Sequence, residues 1–330
     1  MSALAIIGGG SWGTSLAVVL APRFREVRLW MYEVDLASRL QQTRQNDIYL
    51  PGIPIPANVR VTTEFPEALR EAEILLSVVP SAYVRRVYEQ MRPWLRPDLK
   101  FVSATKGIEN GTLLRMSEVI RQSLPFAAEV AVLSGPTFAR EVAKGSPTAT
   151  VVAAADPDLA KSVQHAFSGP TLRLYTNGDP VGVEVGGAIK NVVAIGAGVC
   201  QGLGLGSNAL AALITRGLAE MTRLSVAMGG DARTLAGLAG LGDLVLTCNG
   251  ELSRNRMVGM ELAKGRTLSD IVGSTQMVAE GVETTRAAVA LAERFSVDMP
   301  IVGQMNAMLH LGRSPADAIR SLMERTLKSE

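Results

Sequence analysis

A short glycine-rich block near the N-terminus restricts what this chain can fold into more than any other feature. Gly8-Gly9-Gly10-Ser11-Trp12-Gly13 follows the apolar run Leu4-Ala5-Ile6-Ile7 and precedes a helical pattern that starts near Trp12. Gly8, Gly10 and Gly13 fit G-x-G-x-x-G, here between a strand and a helix, the setting of a dinucleotide-binding unit. The first glycine makes the tight turn. The second lets the backbone approach a pyrophosphate, and the third lets helix pack on strand. The helix N-terminus then offers N–H groups and a positive dipole end to phosphate. The alternative is a glycine-rich turn that holds no ligand, and the strand–turn–helix context argues against it.

The rest of the first half keeps the same grammar. Val27–Trp30, Glu73–Val79, Leu99–Ala104, Val130–Ser134, Thr148–Ala154 and Leu172–Thr176 read as strands, with helical patterns between most of them. Pro80 stands where a helix would start. Strand and helix in alternation predict an α/β fold, a Rossmann-type doubly wound sheet. After Asn177-Gly178-Asp179-Pro180, a strong turn signal, the grammar changes to long helical patterns, among them Leu210–Met228 and Thr284–Phe295. We therefore expect residues 1–180 to form the dinucleotide-binding, NAD(P)-binding domain and residues 181–330 an all-α C-terminal domain, to which the resemblance given below assigns substrate binding and catalysis. A chain of 330 residues agrees with two such domains.

Composition removes several function classes. Lys+Arg 33 against Asp+Glu 31 leaves a formal charge of +2, which is no electrostatic footprint for nucleic acid. Cys200 and Cys248 are the only cysteines, so a disulfide framework and a cysteine zinc site are excluded, which suits a reducing cytosol. His165 and His310 are the only histidines and lie outside every motif, which disfavours histidine-based hydride chemistry. No signal-peptide pattern precedes the first strand. Between Lys190 and Arg216 no charge occurs, a length that would span a bilayer. Its glycines, with Gln201 and Asn208, favour a buried protein core over a membrane span.

Several polar residues sit where chemistry is expected. Glu33 and Asp35 follow the second strand, where an acid binds a ribose 2′-hydroxyl, and no Arg or Lys follows until Arg39. That favours NAD over NADP, although both acids also read as solvated loop charges. Lys106 closes a strand, and Gly135 and Thr137 follow another, at the sheet edge where ligands bind. Lys190 and Asn191 interrupt an apolar run after the paired glycines Gly186-Gly187. A glycine inside a helix costs roughly 1 kcal/mol relative to alanine, so something must approach that backbone closely. A lysine in such surroundings needs a task or a partner; the alternative is one that snorkels from a core helix. Asp243 and Thr247 share one face if their segment is helical. Ser253-Arg254-Asn255-Arg256 gathers donors that suit a phosphate, or else forms a solvated basic loop. Glu280 is a further candidate for a ribose or amide contact.

Taken in order, the blocks GGGSWGT, VPS, ATKGIE, SGPTFA-x-EV, GVE-x-x-GA-x-KNV, ALITRG, GLGDLVLTC and SRNR resemble bacterial NAD(P)-dependent glycerol-3-phosphate dehydrogenase. The resemblance runs from Gly8 to at least Gly281. It implies a Rossmann domain, a helical substrate domain and a site in the cleft between them. It implies Lys190 as catalytic acid/base, with Lys106 and Asn191 binding substrate near the reacting carbon. Asp243 and Thr247 would orient the lysine and the substrate hydroxyls. Gly135, Thr137 and Ser253 would touch substrate, and Arg254 with Asn255 would clamp its phosphate. Gly8, Gly10, Ser11, Trp12, Gly13, Tyr32, Glu33, Lys106, Ala139, Arg254, Val278 and Glu280 would contact the cofactor, NAD or NADP. Tyr32-Glu33 stands where many members carry a basic residue or histidine, which agrees with the acid argument for NAD.

The implied partners are dihydroxyacetone phosphate and glycerol 3-phosphate, with no nucleic acid, no membrane span and possible homodimerisation. The implied setting is cytoplasmic, with glycerol 3-phosphate made for phospholipid synthesis. Proton release in the reverse direction asks for a lysine more acidic than the free value of about 10.4, and Lys106 is the candidate like charge. A β-hydroxyacid dehydrogenase also pairs a Rossmann domain with a helical domain carrying Lys and Asn. A non-catalytic dinucleotide sensor would keep the glycine motif alone. Both remain as competing readings of the residues.

Overall fold

The computed structural model describes residues 3–273 and 279–327. Its contacts divide into two compact units: Met1–Lys106 with Leu114–Glu184, and Gly107–Leu113 with Val185–Glu330.

The first unit is built on β1 (Ala3–Ile7), β2 (Glu26–Trp30), β3 (Val59–Thr62), β4 (Ala72–Ser77), β5 (Lys100–Ser103), β6 (Val130–Ser134), β7 (Thr148–Ala153) and β8 (Leu172–Asn177). They form one eight-stranded sheet in the order β3-β2-β1-β4-β5-β6-β7-β8. All neighbours run parallel except β6 and β7, so the sheet is mixed. Around it lie α1 (Ser11–Leu20), α2 (Val34–Thr43), α3 (Phe65–Leu69), α4 (Val84–Met91), α5 (Met116–Ser123), α6 (Ala139–Ala143) and α7 (Pro157–Phe167).

Strand β1 shows why the sheet is covered on both faces. Every residue in it is buried. Side chains alternate across a strand, so Leu4 and Ile6 enter one apolar cluster with Leu16, Leu20 and Phe167. Ala5 and Ile7 enter another, with Leu75, Tyr88 and Phe101. The Rossmann-type sheet expected from the sequence is thus present. Strand β3 was not among the expected strands. It is short, and Arg60 interrupts its apolar run while Val59, Val61 and Thr62 are buried.

The chain leaves β1 for β2 on one side and later returns to β4 on the other. That reversal places a ligand crevice beyond the carboxyl ends of β1 and β4. The glycine block sits there. A Cβ on Gly8 would stand 2.7 Å from the carbonyl oxygen of Val78, and one on Gly13 would stand 1.8 Å from that of Gly8. Side chains at either position would push the turn off the sheet.

Among the described residues no strand follows β8. The helices are α8 (Pro180–Gly202), α9 (Gly206–Ala227), α10 (Ala232–Leu235), α11 (Asp243–Asn249), α12 (Arg254–Ala263), α13 (Leu268–Gly273), α14 (Glu280–Arg294), α15 (Pro300–His310) and α16 (Pro315–Met323). The charge-free stretch from Lys190 to Arg216 is not one helix. It breaks between α8 and α9, where Gly204 and Gly206 take φ of +69° and +78°. Among the described residues, α8 alone is a helix long and apolar enough to cross a membrane, and its most apolar window is wholly buried inside the protein.

Helix α8 is the element on which this unit assembles. A Cβ on Gly186 would stand 2.6 Å from Ala239 O, in the π-helical turn Leu238–Gly242 that leads into α11. The close approach expected from the paired glycines is therefore found at Gly186. A Cβ on Gly198 would meet Arg256 O at 1.9 Å, and one on Gly259 would meet Ile195 O at 1.9 Å, so α8 and α12 pack backbone against backbone. At Gly281, a Cβ would stand 2.6 Å from Asn191 O, which seats the start of α14 on the same helix.

Candidate functional site

In the first unit the glycine turn ends at Gly10, the residue preceding α1, whose backbone is extended and which has no side chain to cap the helix. The first N–H groups of any helix lack intrahelical acceptors. A Cβ built on Gly10 meets nothing within 4 Å, so the space beside Gly10 is open. Beside it, Trp12 Nε1 is buried and has no hydrogen-bond partner among the described residues. Open space at Gly10 and a buried orphan donor at Trp12 both fit a bound dinucleotide. Ser11 donates its hydroxyl to Tyr49 O at 2.7 Å.

At the end of β2, Tyr32 is exposed and Glu33 immediately precedes α2. Tyr49 donates its hydroxyl to Glu33 Oε1 at 2.8 Å. Burial, then the Glu33 hydrogen bond and charge, push the Tyr49 phenol up to about 12. Arg39 points its guanidinium at Asp47, 3.3 Å away. Asp35 lies in the first turn of α2, exposed. Asn46 and Tyr49 were not singled out by the sequence. Their only signal is the turn-rich run Asn46-Asp47-Ile48-Tyr49-Leu50-Pro51-Gly52 after α2.

Farther along the same sheet edge, Lys106 Nζ donates to Gly135 O at 3.1 Å, and Thr137 Oγ1 donates to the same carbonyl at 3.1 Å. Lys106, Gly135 and Thr137 are therefore one cluster. Gly135 has φ of +152°, and a Cβ there would stand 2.7 Å from Thr150 Oγ1. Only glycine satisfies both conditions without displacing β7. Ala139 is the first residue of α6, which packs against α1.

In the second unit, Lys190 and Asn191 are both buried in α8. Lys190 Nζ donates to Asp243 Oδ1 and, at 2.7 Å, to Thr247 Oγ1. Thr247 donates its own hydroxyl to Asp243 O at 2.6 Å, one turn back along α11. Asp243 and Thr247 do share a helix face, and both face the lysine. The ion pair is deep: side-chain exposure is 7% for Lys190 and 1% for Asp243. The neighbouring Cys248 thiol is pushed up to about 12 by burial, against a smaller pull from Lys190, so it stays neutral.

The SRNR block is a helix start, not a loop. Ser253 caps α12 by accepting from Arg256 N at 3.2 Å. Arg256 turns its guanidinium to Gly250 O at 3.0 Å. Asn255 Oδ1 accepts from Gly281 N at 3.0 Å, which joins the block to α14. Arg254 is exposed on the first turn of α12. Glu280 opens α14. Val278 lies outside the described residues.

The comparisons with known proteins agree across the whole chain. The family model described as NAD-dependent glycerol-3-phosphate dehydrogenase N-terminus matches residues 3–160. The model for the C-terminus of the same enzyme matches residues 179–320. A Koribacter versatilis protein named glycerol-3-phosphate dehydrogenase, NAD(P)+, is 58% identical over 100% of this chain and 99% of its own length. A protein of the same name from Citrifermentans bemidjiense is 52% identical over 99% and 98%. The solved glycerol-3-phosphate dehydrogenase of Coxiella burnetii superposes with a TM-score of 0.94 at 40% identity, covering 98% of this chain and 99% of that one. A ketopantoate reductase from Ralstonia eutropha shares the fold alone, with a TM-score of 0.61 at 15% identity. The chain belongs to the NAD-dependent glycerol-3-phosphate dehydrogenase family.

Proposed function

We propose that the chain interconverts dihydroxyacetone phosphate and sn-glycerol 3-phosphate with NAD(P)(H), using Lys190 as the acid/base. The observation that carries this reading is the buried Lys190 ammonium, gripped by Asp243 and Thr247 on one face of α11. An ion pair this deep costs desolvation energy and is a poor device for stability alone. Its yield is a proton held at a fixed point, which is what a general acid needs.

The two parts of the sequence share the roles. Residues 1–180 hold the dinucleotide, through Gly8, Gly10, Ser11, Trp12 and Gly13 at the pyrophosphate and Tyr32 and Glu33 at the ribose. Ala139, Arg254, Val278 and Glu280 complete the cofactor contacts. Residues 181–330 carry the proton chemistry. When bound, the reduced nicotinamide supplies hydride to the central carbonyl carbon. Lys190 gives its proton to the carbonyl oxygen as negative charge grows there, and takes it back in the reverse direction. Asp243 and Thr247 fix the direction of the Nζ–H bonds during both. Asn191, Ser253, Gly135 and Thr137 line the substrate, and Lys106 adds positive charge beside it. Arg254 and Asn255 hold the phosphate.

Glu33 makes NAD the preferred cofactor, because a carboxylate accepts from a ribose 2′-hydroxyl and repels a 2′-phosphate. The enzyme works in the cytoplasm, in the direction that makes glycerol 3-phosphate for phospholipid synthesis, as a homodimer. The test is oxidation of NADH and of NADPH by the purified protein with dihydroxyacetone phosphate, with 2-ketoacids, and with no ketone. The expected result is turnover with the phosphorylated ketone alone, faster with NADH. Turnover with ketoacids instead would transfer the chain to the hydroxyacid dehydrogenases, and no turnover would overturn the enzymatic reading.

A further inference from the structure

In the reading above, the carboxylate that meets the ribose is Glu33, on the exposed residue before α2. We propose that Tyr49 is the positioning residue that holds Glu33 in place for a ribose 2′-hydroxyl and so sets the preference for NADH over NADPH. The inference rests on the assignment of Glu33 to the ribose.

The geometry is a chain of hydrogen bonds from the glycine turn to that carboxylate. Asn46 is fully buried and donates its amide to Gly9 O at 2.9 Å and to Thr14 Oγ1 at 2.8 Å. Its other end accepts the backbone N–H of Tyr49 at 3.0 Å. The carbonyl of Tyr49 accepts from Ser11 Oγ at 2.7 Å. The phenol then reaches Glu33 Oε1 at 2.8 Å. One turn of chain therefore ties the strand end that carries Glu33 to the same Gly9–Thr14 segment that forms the pyrophosphate cradle.

Without that phenol, nothing fixes Glu33. It makes no cap bond to α2, and among the described residues no other hydrogen bond reaches its side chain. A glutamate on an exposed helix start samples several rotamers, and ordering it on binding costs free energy. Tyr49 occupies Oε1 and leaves Oε2 to accept from a ribose hydroxyl. With its pKa raised to about 12, the phenol remains a donor at any working pH. Asp47, in the same turn, holds Arg39, the first cation after β2, in an ion pair at 3.3 Å. The turn thus presents a fixed acceptor and occupies the nearest following cation in sequence that a 2′-phosphate would use.

The experiment compares native protein, Tyr49→Phe, Glu33→Ser and the double variant for binding of NADH and NADPH, and for kcat and KM with each. Tyr49→Phe deletes one oxygen and keeps the ring. Loss of one such bond predicts about a five-fold rise in Kd and KM for NADH. The Kd for NADPH stays level or falls, and kcat with NADH moves less than KM. In the Glu33→Ser background, Tyr49→Phe leaves the NADH/NADPH ratio unchanged, because the coupling acts through Glu33. If Tyr49→Phe weakens both cofactors equally, the residue only supports the loop and the proposal fails. If Glu33→Ser shifts the ratio and Tyr49→Phe does not, the proposal fails while the ribose assignment stands. If Glu33→Ser leaves the ratio untouched, the ribose assignment falls and takes the proposal with it.

Discussion

Glu220, buried in α9, accepts hydrogen bonds from the backbone N–H groups of Ile301 at 2.7 Å and Val302 at 3.1 Å. A carboxylate from one helix thereby caps the first turn of α15, where Pro300 already removes one unpaired donor. Burial raises this carboxyl to about 7, partly offset by the two N–H bonds and by Arg223 on its own helix. Asp298, before α15, adds a small upward push and is itself paired with Arg325.

A stability prediction follows from the sign of that shift. The folded pKa lies above the ordinary carboxyl value of 4.5, so the folded state binds the proton more tightly than the unfolded one. The contribution is fully present below about 4.5 and is lost as pH rises through about 7. The slope within that window is at most about 1.4 kcal/mol per pH unit. Unfolding by urea at pH 5, 6, 7 and 8 should show native protein losing stability relative to Glu220→Gln, which cannot titrate. Parallel curves for the two proteins would place the Glu220 pKa at its ordinary value.

The Lys190–Asp243 pair predicts two separable losses. Lys190→Ala should cut turnover by about 10²–10⁴, the usual contribution of a general acid/base. It also leaves Asp243 as an uncompensated buried charge, at a cost of about 3–5 kcal/mol in stability. Lys190→Ala with Asp243→Asn should recover much of the stability and none of the turnover. Thermal unfolding beside single-turnover kinetics checks both. Recovery of turnover in the double variant would take the proton chemistry away from Lys190.

How much of this was legible beforehand depended on whether a residue's partner lay nearby in sequence. The glycine turn was, because its steric demands are local and repeat the same strand-turn-helix setting. The face shared by Asp243 and Thr247 was, because helical spacing fixes it. The close approach at Gly186 was legible as a need, but not its source at Ala239, which only packing reveals. Strand β3 was hidden because Arg60 breaks its apolar run at the edge of the sheet. The antiparallel step from β6 to β7 left no mark, since a strand reads the same in either direction. Tyr49 was invisible for the opposite reason to the glycines. Its meaning comes from Glu33 and Asn46, and a turn composition alone says nothing about which groups it joins.

In the proposed phosphate clamp of Arg254 and Asn255, Arg254 is the side chain whose removal is most telling. Of the SRNR block, Ser253 is spent on capping α12, Arg256 on Gly250 O, and the Asn255 carbonyl on Gly281. Arg254 alone is exposed, with no hydrogen bond or ion pair among the described residues, on the first turn of a ten-residue helix. The positive end of that helix adds to the guanidinium's pull on an anion. Charge-assisted bonds of this kind contribute about 1.5–3 kcal/mol each. In the proposed reaction, part of that energy would orient the carbonyl against the hydride donor, so truncation should lower kcat as well as raise KM. Arg254→Ala should therefore lose most of its discrimination between dihydroxyacetone phosphate and dihydroxyacetone. Arg254→Lys should recover part of it, because an ammonium keeps the charge but lacks the planar fork. The measurement is the ratio of kcat/KM for the two ketones in all three proteins. A ratio unchanged by Arg254→Ala would move the phosphate to another cation, and Lys106, held at the sheet edge beside Gly135, is the next to test.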